Sequence, residues 1–347
     1  SKIVKELKNL NNNIQFRAWG GNHLLSENVK LDENIDQINY MGFWEVFKNA
    51  FKVLDNLNRC KKNITDFSPD IVLLVDYPGF NLEVAKFTNR KNIRTYYYIS
   101  PKIWAWRSSR IRKIKQYIDE MFVIFPFEKE YYKKRGYNVK YLGNPVLENI
   151  LKNNFNLIKR EKPIISLIPG SRKQEIEKIL PIMLSVIDSY PDYHFIISAS
   201  NSFSSEYYSK LVKGYNAEII FDRHYDILAS SFASIITSGT STLEAALINV
   251  PQIVCYKTSS FSYLIAKLFV KIKYISLVNI LLNKNSIIEL IQNDLTIKNL
   301  KLNLTKILSP ISRKNIFSDY KELKNYLYTK ESVSGKIARD ILESNYS

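Results

Sequence analysis

Two short runs of small residues carry the clearest chemistry in the chain, Ile168-Pro-Gly-Ser-Arg172 and Thr237-Ser-Gly-Thr-Ser-Thr-Leu-Glu244. Each follows an apolar run that reads as a buried strand, Pro163–Ile168 and Ala233–Ile236. Each opens onto a helical pattern, Lys173–Ile187 and Leu243–Ile248. A strand that ends in Gly, Ser and Thr and passes into a helix leaves backbone N–H groups and hydroxyls facing whatever lies above the sheet. That arrangement favours phosphate. Gly170, Ser171, Ser238, Gly239 and Thr240 supply such a lining. Arg172 adds a two-pronged cation suited to a diphosphate, and Glu244 adds two acceptors suited to ribose or sugar hydroxyls. Either turn alone reads better as a helix start capped by Ser or Thr. Together they point to a nucleotide-sugar site.

In the first half, Asp76 ends the run Ile71-Val-Leu-Leu-Val75 and precedes Tyr77-Pro-Gly-Phe-Asn81. A carboxylate there faces the ligand side of a sheet and can serve as general base for an acceptor hydroxyl, or it can cap the next turn. Position alone does not choose. Tyr98-Ile-Ser-Pro-Lys-Ile-Trp-Ala-Trp-Arg107 brings Trp104 and Trp106 close together, as an apolar wall for an acyl chain, a platform for a sugar, or plain packing. Arg107, Arg110, Arg112, Lys113 and Lys115 follow as a basic stretch that also fits a solvated face. Later, Phe261, Leu264, Ile265, Leu268 and Phe269 recur at helical spacing, with Lys267 and Lys271 on one flank. Such a helix lies in a membrane interface or packs on a core.

These residues need elements to hold them. Apolar runs alternate with helical patterns along the whole chain, which predicts an α/β protein with parallel sheets. Strands are expected at Ile14–Trp19, Ile71–Asp76, Arg94–Ile99, Met121–Ile124 and Val139–Leu142, with helices at Phe43–Lys62, Leu82–Thr88, Ser108–Tyr117 and Glu128–Arg135. A second set is expected at Ile164–Ile168, His194–Ser198, Glu218–Phe221, Ala233–Ile236 and Gln252–Tyr256. The polar, Asn/Lys-rich segment from Glu148 lacks an apolar period. The predicted division is therefore a first domain over 1–150, a linker over 151–162, a second domain over 163–310 and helices over 311–347. Two doubly wound domains facing a cleft would place ligands at the carboxyl ends of the strands.

The 347 residues carry a formal charge of +17, which calls for an anionic partner, nucleic acid or acidic lipid. A bias toward Lys, Asn, Ile and Tyr accounts for part of that excess equally well. Cys60 and Cys255 are isolated, and His23, His194 and His224 are scattered. That spacing argues against a disulfide framework or a zinc site and fits a reducing cytosol. No apolar stretch is long enough to span a bilayer, and no secretory signal is visible.

Taken in order, several stretches resemble the lipid-A-disaccharide synthase family of inverting glycosyltransferases, which has the GT-B architecture of two Rossmann-like domains. They are Met41-Gly-Phe-Trp-Glu-Val46, Asp76-Tyr-Pro-Gly-Phe-Asn-Leu82, Tyr98 to Arg107, and Phe125-Pro-Phe-Glu-Lys129. Leu142-Gly-Asn-Pro145, Pro169-Gly-Ser-Arg172, Ser238 to Glu244 and Tyr274-Ile-Ser-Leu-Val-Asn279 continue the match. The Ser-Pro-x-x-Trp-Ala-Trp-Arg stretch is the most specific of these. The resemblance implies transfer of 2,3-diacylglucosamine from UDP to 2,3-diacylglucosamine 1-phosphate (lipid X). The products would be the β(1→6)-linked disaccharide phosphate of lipid A and UDP, with no metal or other cofactor. It implies that Asp76 is the base for the acceptor 6-hydroxyl and Arg172 the cation on the diphosphate. Ser238 to Thr240 and Glu244 would line the nucleotide-sugar loop, joined by Asn279, Glu289 and Gln292. Glu45, Asn81, Trp104 and Trp106 would lie on the acceptor and acyl side. It further implies a cytoplasmic enzyme, peripheral on the anionic inner face of the bacterial inner membrane, and allows a homodimer.

Two departures stand out. Family members begin with a strand and a Gly-Glu-x-Ser-Gly-Asp turn, whereas this chain begins inside the helix expected after them. A central strand of about six residues and an acceptor-side loop are therefore expected to be missing from the first domain. The family's usual Gly-Arg after Asn279-Ile-Leu-Leu282 is Asn283-Lys284 here, which weakens any phosphate contact at that point. The competing readings are another UDP-sugar transferase of the same fold, or a non-catalytic membrane-associated remnant. A nucleic-acid-binding protein is a third, set aside because no nucleic-acid module is present.

Overall fold

The computed structural model describes residues 1–35, 50–259 and 273–344. The chain divides into two units, Ser1–Pro145 with Thr329–Ser347, and Val146–Tyr328.

In the first unit, branched and aromatic runs make the strands. β1 (Arg17–Gly20) pairs with β2 (Lys30–Asn34) in a two-stranded parallel sheet. β3 (Ile71–Val75), β4 (Arg94–Tyr98), β5 (Glu120–Val123) and β6 (Lys140–Tyr141) form a four-stranded parallel sheet in sequential order. Parallel neighbours need a crossover, and helices Pro78–Arg90, Ile111–Tyr117 and Pro126–Lys133 provide it. Side chains alternate across a strand, so β4 feeds two cores. Tyr97 packs with Leu82, Ala85, Ile114 and Tyr132 on one face. Tyr96 and Tyr98 pack on the other with Leu7 of helix Lys2–Leu10 and with Val333, Ile337 and Ile341 of the last helix, Val333–Glu343. Lys140 ties that last helix down, reaching Asp340 at 2.8 Å and also pairing with Glu120.

The second unit has six parallel strands: β7 (Ile164–Ile168), β8 (His194–Ala199), β9 (Ala217–Phe221), β10 (Ser231–Thr237), β11 (Gln252–Tyr256) and β12 (Ile288–Ile291). Their order is β12-β11-β10-β7-β8-β9. The winding reverses between β7 and β10, which defines a doubly wound sheet with its switch point there. β7 is buried along its whole length, as a strand covered on both faces must be. Its one polar side chain, Ser166, is satisfied by Ser234 of β10 at 2.7 Å.

The unit boundaries differ from those read from composition. Helix Pro310–Leu327 stays with the second unit because Ile316, Tyr320, Leu323 and Leu327 are buried there, with the Tyr320 hydroxyl accepting from Gln252 Nε2 at 3.2 Å. Only the last helix belongs to the first unit. β2 was not expected, because Lys30-Leu-Asp-Glu-Asn34 is largely polar, and β12 was hidden in a short Ile-Ile-Glu-Leu-Ile run. β1 runs later than the expected Ile14–Trp19, and β6 is shorter than Val139–Leu142. No helix among the described residues is long and apolar enough to cross a membrane.

Because Ile337 is 1% exposed in the core against β4, Ile337→Ala should cost about 3 kcal/mol. A lowered urea midpoint would show it, and an unchanged midpoint would mean that the last helix does not hold the first unit together.

Candidate active site

The two small-residue turns are distant in sequence but adjacent in space. They follow β7 and β10, which pair with Ile168 opposite Ile236, on either side of the switch point. Gly170 adopts φ +97, and a Cβ there would come within 2.6 Å of Glu175 Oε2 and 3.5 Å of Thr237 Cγ2. Only glycine lets the two turns close this tightly. The helices that begin here, Lys173–Leu184 and Thr240–Leu247, have Arg172 and Gly239 at their N-caps and no side-chain cap. Ser204, Ser276, Thr296, Ser309 and Ser332 cap their helices with a side-chain oxygen, whereas helices Lys2–Leu10, Pro78–Arg90, Ile111–Tyr117 and His224–Ser230 also start without one; only the starts after β7 and β10 flank the switch point. Glu175 N and Thr242 N turn back to Arg172 O and Gly239 O, but the first N–H groups of both helices and the positive ends of two dipoles stand side by side, an arrangement suited to an anion.

The charged groups around this point are already partly engaged. Arg172 is exposed and pairs with Glu175 at 2.8 Å, so a diphosphate would compete with that carboxylate. Glu244 accepts from His224 Nε2 at 3.0 Å and from the Tyr225 hydroxyl at 2.9 Å, while His224 Nδ1 lies 3.2 Å from Ser198 Oγ. Burial works against the Glu244 charge, but the bonds from His224, Tyr225 and Ser241 outweigh it and hold its pKa below the usual carboxylate range. Glu244 is thus an aimed anion with lone pairs to spare. Ser238 is fixed by its N–H on Cys255 and its hydroxyl on Ile275.

Asn279 is reassigned by the structure. It is fully buried, with Nδ2 on Ile287 O and Glu289 Oε1 at 2.9 Å and Oδ1 accepting from the N–H groups of Ser286 and Ile287. With all four hydrogen bonds used internally, it ties helix Leu277–Leu282 to the turn before β12 and has nothing left for a nucleotide. Glu289 anchors the start of the same helix, accepting from Ile275 N at 3.0 Å, Ser276 N at 2.9 Å and Ser276 Oγ at 2.7 Å. Gln292 accepts from Thr258 N, whereas its buried Nε2 has no partner among the described residues and is a donor in reserve. Lys284, where relatives were expected to carry Arg, is drawn aside to Asp319 and Glu322 at 2.7 Å each.

A cavity of about 980 Å³ opens elsewhere in this unit, lined by Lys162, His194 and Asn216, which precede or begin β7, β8 and β9. It lies at the amino edge of the sheet. The carboxyl edge remains the candidate site, because the free helix donors are there.

In the first unit, Asp76 directly follows β3 and its carboxylate is exposed. Asp76 and Tyr77 both take left-handed φ values, 47 and 41, a conformation that costs a non-glycine residue roughly 1–2 kcal/mol. Asn81 Nδ2 holds that turn, donating to Val75 O at 3.0 Å and Asp76 O at 2.8 Å, and the Tyr97 hydroxyl donates to Asp76 O as well. Asn81 therefore shapes the turn that carries the candidate base. Trp104 donates its indole N–H to Glu128 at 3.1 Å and meets Phe127 edge-on, whereas Trp106 stays 42% exposed.

Glu128, in the sequence only a member of the Phe125–Lys129 stretch and the start of an expected helix, organises this region. It is 1% exposed and accepts from Ser100 Oγ at 2.7 Å, Trp104 Nε1, Phe125 N at 3.0 Å and Ile124 N at 3.2 Å. Burial pushes its pKa up, and the four donors pull against that. The sequence signal was the recurrence of a Glu three residues into a helix that begins Phe125-Pro, a capping pattern. Glu45, Phe261, Leu264, Lys267, Leu268 and Lys271 lie outside the described residues. Among the described residues, no group of three His, Cys, Asp or Glu could hold a metal ion.

Two α/β units built on parallel sheets, the second of them doubly wound, are the architecture of a GT-B protein. The fold comparisons agree. The glycotransferase of kitacinnamycin matches with a TM-score of 0.66 at 10% identity, covering 99% of this chain and 94% of that one. A Methanocaldococcus jannaschii UDP-GlcNAc 2-epimerase matches with 0.64 at 15%, covering 99% and 95%. At these identities the likeness shows the fold alone, which hosts both transferases and epimerases. Sequence goes further. The model of the lipid-A-disaccharide synthetase family matches residues 1–339. Lipid-A-disaccharide synthase 1 of Legionella pneumophila (strain Paris) is 34% identical over 315 residues, 85% of this chain and 80% of the relative. The Coxiella burnetii (strain RSA 331 / Henzerling II) lipid-A-disaccharide synthase is 33% identical over 306 residues, 85% and 81%. This chain belongs to the lipid-A-disaccharide synthetase family.

Glu128→Ala would leave four donors unpaired, two of them backbone, and should cost at least about 2 kcal/mol. Chemical denaturation measures the loss, and Glu128→Gln, which keeps one acceptor oxygen, should recover part of it. If Glu128→Ala is as stable as the parent, the carboxylate is not what holds the tryptophan loop.

Proposed function

We propose that this protein transfers 2,3-diacylglucosamine from UDP to the 6-hydroxyl of 2,3-diacylglucosamine 1-phosphate, forming the β(1→6) disaccharide 1-phosphate of lipid A and releasing UDP. The observation that carries this reading is the family match over residues 1–339. It favours this transferase over a remnant or another UDP-sugar enzyme. Asp76 accepts the proton of the attacking hydroxyl; its exposed carboxylate on a braced turn suits that task. Attack from the face opposite the diphosphate inverts the anomeric centre. As UDP departs, negative charge grows on its phosphates. The uncapped helix starts at Lys173 and Thr240 meet it, with Arg172 turning from Glu175 to join them. Such preorganised donors favour the transition state over the bound substrate. Gly170, Ser171, Ser238, Gly239 and Thr240 line the diphosphate, Glu244 takes the ribose hydroxyls, and Gln292 spends its spare donor on the nucleotide.

We place the enzyme on the cytoplasmic face of the inner membrane. Its acylated substrates reside in a membrane, and its formal charge of +17 favours an anionic surface.

Asp76→Asn should lower turnover by about 10²–10⁴-fold, and Arg172→Ala by about a hundredfold, each with an unchanged melting temperature. UDP release coupled to disaccharide formation is the readout. Near-normal turnover in either folded variant would remove that residue from its role.

A further inference from the structure

The loop after β4 holds two guanidinium groups with no acid beside them. Arg107 lies over the Trp106 ring, 4.5 Å from its centroid, and Arg110 lies 5.6 Å from the same ring. Among the described residues neither makes an ion pair or a side-chain hydrogen bond. Lys113, in the same basic stretch, pairs with Glu83 at 2.6 Å. Arg110 is half-buried, and burial together with the like charge of Arg107 lowers its pKa. Holding two cations together, one of them partly out of water, is unfavourable unless an anion completes the set.

Their position says which anion. The buried Tyr97 hydroxyl, which donates to Asp76 O, lies within electrostatic reach of both the Asp76 carboxylate and Arg110. The Tyr97 hydroxyl is thus bonded to the turn that carries the candidate base and has Arg110 in its neighbourhood, at the carboxyl ends of β3 and β4. A cation–π contact with Trp106 uses none of a guanidinium's N–H donors, and that planar fork can grip a phosphate bidentately. Arg107 is held there in a left-handed conformation, φ 52.

We propose that Arg107 and Arg110 form an anion subsite for the phosphate monoester of the acceptor sugar, holding the acceptor so that its hydroxyl meets Asp76. This rests on the transferase reading above and names how the acceptor is recognised. Two guanidinium groups match the double charge of a monoester better than the single charge of a diester. The exposed Trp106 beside them also fits a phospholipid headgroup, so the test separates the two sources.

The experiment compares the parent with Arg110→Gln, Arg110→Lys and Arg107→Gln on 2,3-diacylglucosamine 1-phosphate and on 2,3-diacylglucosamine lacking the phosphate. Loss of a charge-assisted contact should cut the kcat/KM preference for the phosphorylated acceptor at least about tenfold in Arg110→Gln. The KM for the UDP-linked donor should stay unchanged, and Arg110→Lys should recover part of the preference. Equal losses on both acceptors, or no loss on either, would overturn the subsite. Reduced binding to phosphatidylglycerol vesicles with the acceptor preference intact would assign the pair to lipid headgroups instead. Calorimetric binding of the phosphorylated acceptor to parent and Arg110→Gln needs no turnover. An affinity loss there upholds the subsite even if the parent makes no disaccharide, a result that would count against the transferase reading alone.

Discussion

A parallel strand can be followed by its neighbour only after the chain has crossed back over the sheet, so all strands of such a sheet end at the same edge. That constraint governs both units. In the second it brings the turns after β7 and β10 together although many residues separate them. In the first it sets Asp76, at the end of β3, beside the loop that leaves β4. Neither grouping needs a contact to be designed for its own sake. Once the strands pair in register, small residues and carboxylates at their ends are neighbours.

Loops at those ends have no ladder to hold them, and the protein stabilises them with buried acceptors. Glu128 gathers a hydroxyl, an indole and two backbone N–H groups around the tryptophan loop. Glu289 and Asn279 do the same for the loop before β12. A carboxylate offers about four lone pairs, so a single buried Glu can fix a segment that would otherwise cost conformational entropy to order. Glu244 combines both duties. His224 and Tyr225 orient it, and its two acceptor oxygens leave it lone pairs to spare. Uncapped helix starts are the complement of these saturated sites, since they leave donors that a ligand could take.

Much of this was legible in the residues. The runs of β7, β8 and β11 are almost wholly apolar because both faces are covered, so they announce themselves. The places of the Gly-Ser turns, of Asp76 at a strand end and of Glu244 one helical turn on were readable from the apolar runs before them, although their residue types fit caps and turns equally well. What escaped was decided by partners distant in sequence. β2 is polar, and only pairing with β1 makes it a strand. Asn279 joins the nucleotide loop only by the family resemblance, and a sequence does not show that its amide is buried and fully bonded. Glu128 gave only a capping signal, whereas its larger task depends on Ser100 and Trp104 arriving from another loop. The fate of helix Pro310–Leu327 turned on whether Tyr320 could reach Gln252, which no local pattern encodes.

The left-handed pair at Asp76 and Tyr77 has a consequence for anyone who would make this protein more heat-resistant. Glycine at 77 would relieve about 1 kcal/mol of backbone strain, an attractive gain by that criterion alone. It would also give the unfolded chain more freedom and would let the turn sample conformations that swing the neighbouring carboxylate off its line. Rigidity and strain at this corner are one property, expressed in two adjacent φ angles. Stabilising changes are better sought at the amino edges of the sheets, where no reacting group depends on the shape of the turn.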